Sequence, residues 1–326
     1  MSSYSHSPPL AVGVDVGGTK LAVGIINADG DVILKRKWPV EKTSPGASFH
    51  QIERSILEVC SIAALRPEHL LGIGVAVPGI SDSGTGLVWA PNLWGNEQIP
   101  LCDELRSRID SNVSIDSDRT AYVLGEQWRG AARGLSDVAF MAVGTGIGLG
   151  IMMGGRSYGG AHGIAGAIGW FAVDPRKKAI YQQLGCLEAE AAGPAVARKA
   201  SERLAGGQTS QLHLQVGTSF AELSTETVVA AAREGDHLAL EVLEEVTNYL
   251  AMGVANVISV LNPQMVVLGG GLMQASDLLF APLCRHVLEW GQPLAARKTR
   301  IELSQLGEDA GLLGAARLVF LRQQDP

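Results

Sequence analysis

The chain has 326 residues, 46% of them apolar and 40 of them glycine, with a formal net charge of −7. That length and apolar share can bury a full core and suit about two domains, while the acidic balance argues against nucleic-acid binding and for a small-molecule substrate. No apolar run approaches the roughly 20 residues that span a bilayer. The first nine residues lack the apolar core of a leader, and Cys60, Cys102, Cys186 and Cys284 are scattered as reduced thiols would be. A cytoplasmic protein without disulfides or membrane contact is the expectation.

The first predicted element is a hairpin. An apolar run from Ala11 meets the turn Asp15-Val-Gly17-Gly18-Thr19-Lys20 and leaves as a second apolar run to Ile26. Asn27 to Gly30 signals a turn, Val32 to Trp38 reads as a third strand, and Ser48 to Ala64 carries apolar residues at helical spacing. Strand Leu70–Val77, helix Leu101–Arg108, strand Val113–Ile115 and a helix over Thr120–Gly130, starting just after Asp118, follow.

The hairpin pattern then recurs about 130 residues on, as Val138 to Val143, the turn Gly144-Thr145-Gly146, and a run to Met153. A long irregular stretch reaches Gly185. Helices are expected over Glu188–Leu204, Thr225–Glu234 and Asp236–Val260, a buried strand over Met265–Leu268 ending in Gly269-Gly270-Gly271, and a closing apolar helix over Gly311–Leu321. The pattern is a duplicated β-β-β-α-β-α unit in an α/β protein of two lobes, with a ligand cleft expected between them.

Glycine lets backbone N–H groups approach anionic oxygens, so two such turns suit a polyphosphate. Gly18-Thr19-Lys20 has the wrong order for a Walker loop, and no Gly-x-Gly-x-x-Gly opens a helix. A nucleotide-dependent phosphotransferase is the reading these residues support.

In the order and spacing of its motifs the chain resembles the ROK family of sugar kinases, repressors and related open reading frames, within the two-lobed actin-like (ribonuclease H-like) ATPases. The matching segments are Asp15-Val-Gly-Gly-Thr-Lys20, Pro78-Gly79, Pro91-Asn-Leu-Trp94, Asp118 with Gly125-Glu126, Gly144-Thr-Gly-Ile-Gly148, Gly163-Ile-Ala-Gly166, Gly185-Cys-Leu-Glu188 and Gly269-Gly-Gly271. The resemblance implies a small lobe over residues 1–127, with a C-terminal helix over 310–326 packing back on it, and a larger lobe over 128–309.

It implies ATP with Mg2+ near Asp15, phosphate loops at Gly17, Gly18, Thr19, Lys20 and at Gly144, Thr145, Gly146, and adenosine over Gly269, Gly270, Gly271. Asp118 would accept the proton of a sugar hydroxyl, usually the 6-hydroxyl. Read alone, Asp118 could instead cap the helix it precedes, and Glu188 the helix it opens. Gly79, Asn92, Ser117, Asp118, Trp170 and Glu188 are the expected sugar contacts. Dimers are common in the family, so a homodimer is a further expectation, and with only a short segment before Ala11 the repressors' DNA-binding module is not expected.

The departures from the family pattern lie on the sugar side. Ser117 stands where the family has Asn, and Ala167 and Trp170 stand where it has Glu and His. Losing a carboxylate contact should weaken an ordinary hexose roughly 10 to 100-fold, which points to a modified hexose such as an amino sugar or glucoside, with Trp170 either stacking on it or lying in the core. Of the family's zinc ligands only Cys186 remains, so no zinc is expected. Trp170 and Phe171 packed into that loop, with Tyr181 beside them, are the expected substitute.

Overall fold

The computed structural model describes residues 9–82, 85–213 and 222–323. Two compact units emerge: Met1–Ser136 with Gly150–Ala165 and Ser304–Pro326, and Asp137–Leu149 with Gly166–Leu303. In chain order the first unit starts with β1 (Leu10–Val16), β2 (Lys20–Asn27), β3 (Val32–Pro39), α1 (Pro45–Ile62), β4 (Ile73–Val77), β5 (Ile80–Ser81), β6 (Val88–Trp89), α2 (Pro91–Trp94), β7 (Gln98–Ile99), α3 (Leu101–Arg108), β8 (Val113–Ser117) and α4 (Asp118–Arg129).

There follow β9 (Val138–Val143), β10 (Ile147–Met153), β11 (Arg156–Ser157), α5 (Tyr181–Leu184), α6 (Cys186–Ala191), α7 (Gly193–Ala205), α8 (Thr225–Arg233), α9 (His237–Leu261), β12 (Met265–Gly269), α10 (Ser276–Trp290), α11 (Pro293–Lys298) and β13 (Arg300–Leu303). The closing helix α12 (Ala310–Arg322) belongs to the first unit.

The duplication read from the hairpins is present in the sheets. One runs β3-β2-β1-β4-β8 and the other β11-β10-β9-β12-β13, the same order twice. In the first, β2 and β3 pair antiparallel, whereas β1, β4 and β8 run parallel. Parallel strands need both faces covered, and β1 reads accordingly as a nearly continuous buried run.

Its alternate residues serve two different layers. Val12, Val14 and Val16 pack with Phe49, Ile52, Ile56 and Val59 of α1. Ala11, Gly13 and Asp15 face the other way, where Ala11 joins Leu312, Leu313 and Ala316 of α12. Only small residues fit there, because a Cβ on Gly13 would lie 2.3 Å from the Leu312 carbonyl oxygen.

The same close approach recurs along α12. A Cβ on Gly74 would lie 1.7 Å from the Ala315 oxygen, one on Gly125 2.4 Å from the Ala310 oxygen, and one on Gly314 1.7 Å from the Ala121 oxygen. The segment leading into α12 is held by Glu126, wholly buried on α4, whose carboxylate accepts from Leu306 N at 3.0 Å, Ser304 Oγ at 2.5 Å and Ala131 N at 2.7 Å. Helix and sheet therefore touch backbone to backbone.

Several boundaries differ from the sequence expectation. Ser44 caps α1 and Pro45 occupies its first turn, so that helix starts earlier. The unassigned stretch after Gly271 holds α10, which contains Pro282, a residue that argues against a helix locally but is tolerated here in a packed one. No helix among the described residues is long and apolar enough to cross a membrane.

Gly314→Ala should lower the free energy of unfolding by about 1–3 kcal/mol, read from the urea midpoint. Gly18→Ala, whose Cβ would meet nothing within 4 Å, should leave the midpoint unchanged. Equal midpoints for the two variants would contradict this account of α12.

Candidate active site

Asp15 is the last residue but one of β1 and Asp118 follows the last residue of β8, so both stand at the carboxyl ends of parallel strands, where ligands bind in open α/β sheets. The helix cap does not belong to Asp118. Ser117 is the cap residue of α4, and its hydroxyl accepts from Thr120 N at 3.2 Å and lies 3.1 Å from Thr120 Oγ1. Ser117, expected as a sugar contact, is thus buried and engaged in the helix start, which leaves the Asp118 carboxylate with one local bond, from Arg119 N at 2.7 Å.

Both carboxylates lie deep among protein atoms although each residue keeps some exposure. Burial pushes Asp118 up to about 6 against the opposing pull of Arg119. Burial, and then the charge on Asp118, push Asp15 up to about 7, with Lys37 opposing and Asp309 adding to the rise. Asp15 Oδ1 is buried and accepts no hydrogen bond. An orphaned carboxylate oxygen on a group short of positive charge is what a hard divalent cation satisfies, so Asp15 fits a Mg2+ ligand.

Tyr122, one turn along α4, is raised by its burial and by the charges of both Asp15 and Asp118. It is a neighbour of the pair that the sequence did not flag, though its spacing of four from Asp118 on a helix was a usable signal.

The turn between β1 and β2 is closed by Gly17 N donating to Lys20 O at 2.8 Å, and Gly18 and Thr19 are exposed. Gly18 has no left-handed φ and no neighbour to clash with a Cβ. Nothing among the described residues requires glycine there. Lys20 is solvated, 65% exposed and 3.5 Å from Glu308. Asn92 is exposed on α2, whereas Gly79 answers a packing need, since a Cβ there would lie 2.1 Å from the Trp89 oxygen.

The second unit gathers the other glycine loops. Gly144 N donates to Gly146 O at 2.9 Å, and Gly193 N, at the start of α7, donates to Gly144 O at 2.8 Å. Gly270, at φ +93°, has its Cβ direction closed by Val143, and Gly271 N would lie 3.7 Å from a Cβ on Gly144. Gly144, Thr145, Gly146 and Gly269 to Gly271 are therefore brought together, and Gly271, like Gly18, meets nothing.

Glu188 does not cap α6. Its Oε2 accepts from Ile147 N at 2.8 Å, which fastens the helix to the end of the glycine turn. Burial raises its carboxyl despite that bond.

Trp170 is 58% exposed and so does not anchor its loop. The anchor is polar. The Tyr181 hydroxyl lies 2.5 Å from both Asp174 Oδ2 and Glu190 Oε1. Lys178 donates to Glu190 Oε1 at 2.5 Å, and Lys199 to Glu190 Oε2 at 2.5 Å and Glu245 Oε1 at 2.6 Å. The expectation that Trp170 packs into this loop is corrected accordingly, while Tyr181 takes its expected place in it. Glu190 is fully buried, and burial alone would raise its carboxyl; the bonds from Lys178, Lys199 and Tyr181 outweigh it and hold the group at about 2. Among the described residues no group of three or more His, Cys, Asp or Glu is disposed to hold a metal.

The chain is similar to known proteins in both sequence and fold. The "Glucokinase" of Thermotoga maritima is 34% identical over 312 residues, covering 94% of this chain and 96% of that protein. A ROK family glucokinase from Streptomyces griseus, solved in complex with glucose and AMPPNP, superposes with a TM-score of 0.77 at 27% identity, covering 95% and 98% of the two chains. A ROK family transcriptional regulator, described as a homologue of the E. coli MLC protein, gives a TM-score of 0.83 at 25% identity, this chain covering 78% of it. The protein is a carbohydrate kinase with the α/β fold of the actin-like ATPases. The ROK family model matches residues 11–321, and the chain belongs to that family.

Breaking a buried ion pair costs about 3–5 kcal/mol, so Glu190→Ala should fall in that range near neutral pH. Because the carboxyl of Glu190 sits below its unfolded value, its contribution is present above about pH 4.5 and is lost as pH falls toward 2. The penalty should therefore shrink on acidification, and urea melts at pH 7 and pH 3 that give the same difference would contradict the pairing.

Proposed function

We propose that this carbohydrate kinase transfers the γ-phosphate of ATP to a hydroxyl, the 6-hydroxyl, of a hexose or modified hexose, with Asp118 as the proton acceptor. The observation that carries the reading is the desolvated pair Asp15 and Asp118 at one end of the first sheet, beside a glycine turn whose Gly18 the fold does not need. The Streptomyces griseus relative, bound to glucose and AMPPNP, supports the substrate classes.

Phosphoryl transfer asks little covalent work of a protein; alignment, charge neutralisation and removal of one proton suffice. Asp118 held near pKa 6 is ionised at neutral pH yet basic enough to take a hydroxyl proton as the oxygen bonds to phosphorus. Proton acceptance and loss of the phosphate–ADP bond complete the exchange. Mg2+ held by Asp15 would neutralise the phosphate oxygens. Gly17 to Lys20 and Gly144 to Gly146 would supply backbone N–H groups to the phosphates, and Gly269 to Gly271 a flat surface to the nucleoside.

Sugar recognition falls to Gly79, Asn92, Asp118, Trp170 and Glu188, with Ser117 acting through the helix it caps. The exposure of Trp170 favours stacking over a core role, and with Ala167 in place of a carboxylate it favours an amino sugar or a glucoside over glucose. The loop around Tyr181 needs no zinc on this reading, because Lys178 and Lys199 already neutralise its buried carboxylates.

Asp118→Asn should abolish sugar-dependent ADP release while leaving Mg-ATP affinity nearly intact, and activity within about tenfold of the parent would refute the base. In the parent saturated with Mg-ATP, where the bound ion keeps Asp15 ionised, kcat/KM for the sugar should fall tenfold per pH unit below about pH 6 and level off above, since the acceptor must be ionised. Gly18→Ala, expected to fold normally, should raise the KM for ATP at least about tenfold by obstructing phosphate approach.

A further inference from the structure

The register of the first sheet aligns three charges that the sequence keeps apart. Lys37 of β3 lies opposite Ala22 of β2, and Ala22 lies opposite Asp15 of β1. Directly opposed residues point to the same face, so Lys37 and Asp15 share a face with only a methyl group between them. Lys20, two residues before Ala22, belongs to that face as well. It is the face that α12 covers farther along, where Gly311 meets Asp15 and Leu312 meets Gly13 and Gly24.

Glu308, just ahead of α12, reaches over this row. One oxygen lies 2.5 Å from Lys37 Nζ and the other 3.5 Å from Lys20 Nζ. The Glu308 side chain is 62% exposed, and an exposed pair of this kind contributes little and is readily exchanged for a better anion. Lys35 is different. It lies in the next row toward Gly24, about 7 Å farther from the turn, and both oxygens of Asp309 hold it, at 2.6 and 2.8 Å.

Lys37 thus stands within electrostatic reach of the Asp15 carboxylate on one side and an exchangeable carboxylate on the other. Two lysines share one glutamate beside the Gly17–Thr19 turn, and both ammonium groups keep enough exposure to meet an incoming anion.

We propose that Lys37 is a cationic ligand of the terminal phosphates of the nucleotide, and that Glu308 holds Lys37 and Lys20 in the ligand-free protein and releases them when a polyphosphate reaches the glycine turn. This rests on the nucleotide reading above. A charge-assisted bond to phosphate is strong and directional, whereas Glu308 competes for the same ammonium groups. The two partners of one ion pair therefore act on binding with opposite sign, which a merely structural pair cannot do.

The test is calorimetric titration of the full chain with Mg-ATP and with AMP, with thermal melts confirming that each variant folds. K37M and K37Q should each weaken Mg-ATP about tenfold or more and change AMP affinity by less than about twofold, because AMP lacks the terminal phosphates. E308Q, which removes the same pair, should bind Mg-ATP as tightly as the parent or several-fold tighter. Lys37 variants within twofold of the parent on Mg-ATP, or E308Q weakened as much as K37M, would overturn the proposal alone. A parent chain without affinity for any magnesium nucleotide would overturn the nucleotide reading, and this one with it.

Discussion

The backbone of the C-terminal helix lies against β1, β4 and α4 with no room for a Cβ at Gly13, Gly74, Gly125 or Gly314. Much of the first unit follows from that constraint. Helices usually stand off a sheet by the depth of their side chains; here the small residues of both partners remove that layer. The start of α12 is thereby drawn against Asp15, where Gly311 lets it come within contact of the carboxylate, and Glu308 and Asp309 are delivered to the lysines of β3. The tight seam is structural in origin but it sets the electrostatics of the site.

The Glu190 cluster and the Asp15–Asp118 pair treat buried charge in opposite ways. Around Glu190 every carboxylate oxygen has a donor, two of them lysine ammonium groups, and the carboxyl is held well below its ordinary value. At Asp15 and Asp118 the carboxyls are pushed up, one oxygen is orphaned, and the opposing pull of the partly exposed Lys37 and Arg119 does not offset burial. A compensated cluster rigidifies its surroundings, whereas an uncompensated one is incomplete without a ligand. Burial is common to both, and the supply of partners decides which is scaffold and which is site.

Glu188 joins the two roles within the second unit. It sits on α6 two residues before Glu190, and its carboxylate fastens the end of the Gly144 to Gly146 turn through Ile147 N. The ion cluster therefore steadies the glycine loop through one short helix, and the loop in turn is tied to α7 through Gly193.

Much was legible in the amino-acid order alone. The two hairpins, the glycine turns, the buried strand before Gly269 and the helices around Leu105, Val229, Leu250 and Leu313 all follow from apolar period and turn chemistry, which act over a few residues. Asp15 and Asp118 were singled out through the family resemblance of the segments they sit in. What the tertiary structure alone decided is which charges find each other. Lys37 and Glu308 are 271 positions apart and Lys199 and Glu245 are 46 apart, so no local pattern pairs them. The cap passed from Asp118 to Ser117, and Trp170 came to face solvent rather than the core, for the same reason. Local sequence sets backbone shape, whereas burial and long-range partners, which set the charge state and task of a side chain, exist only once the chain has packed.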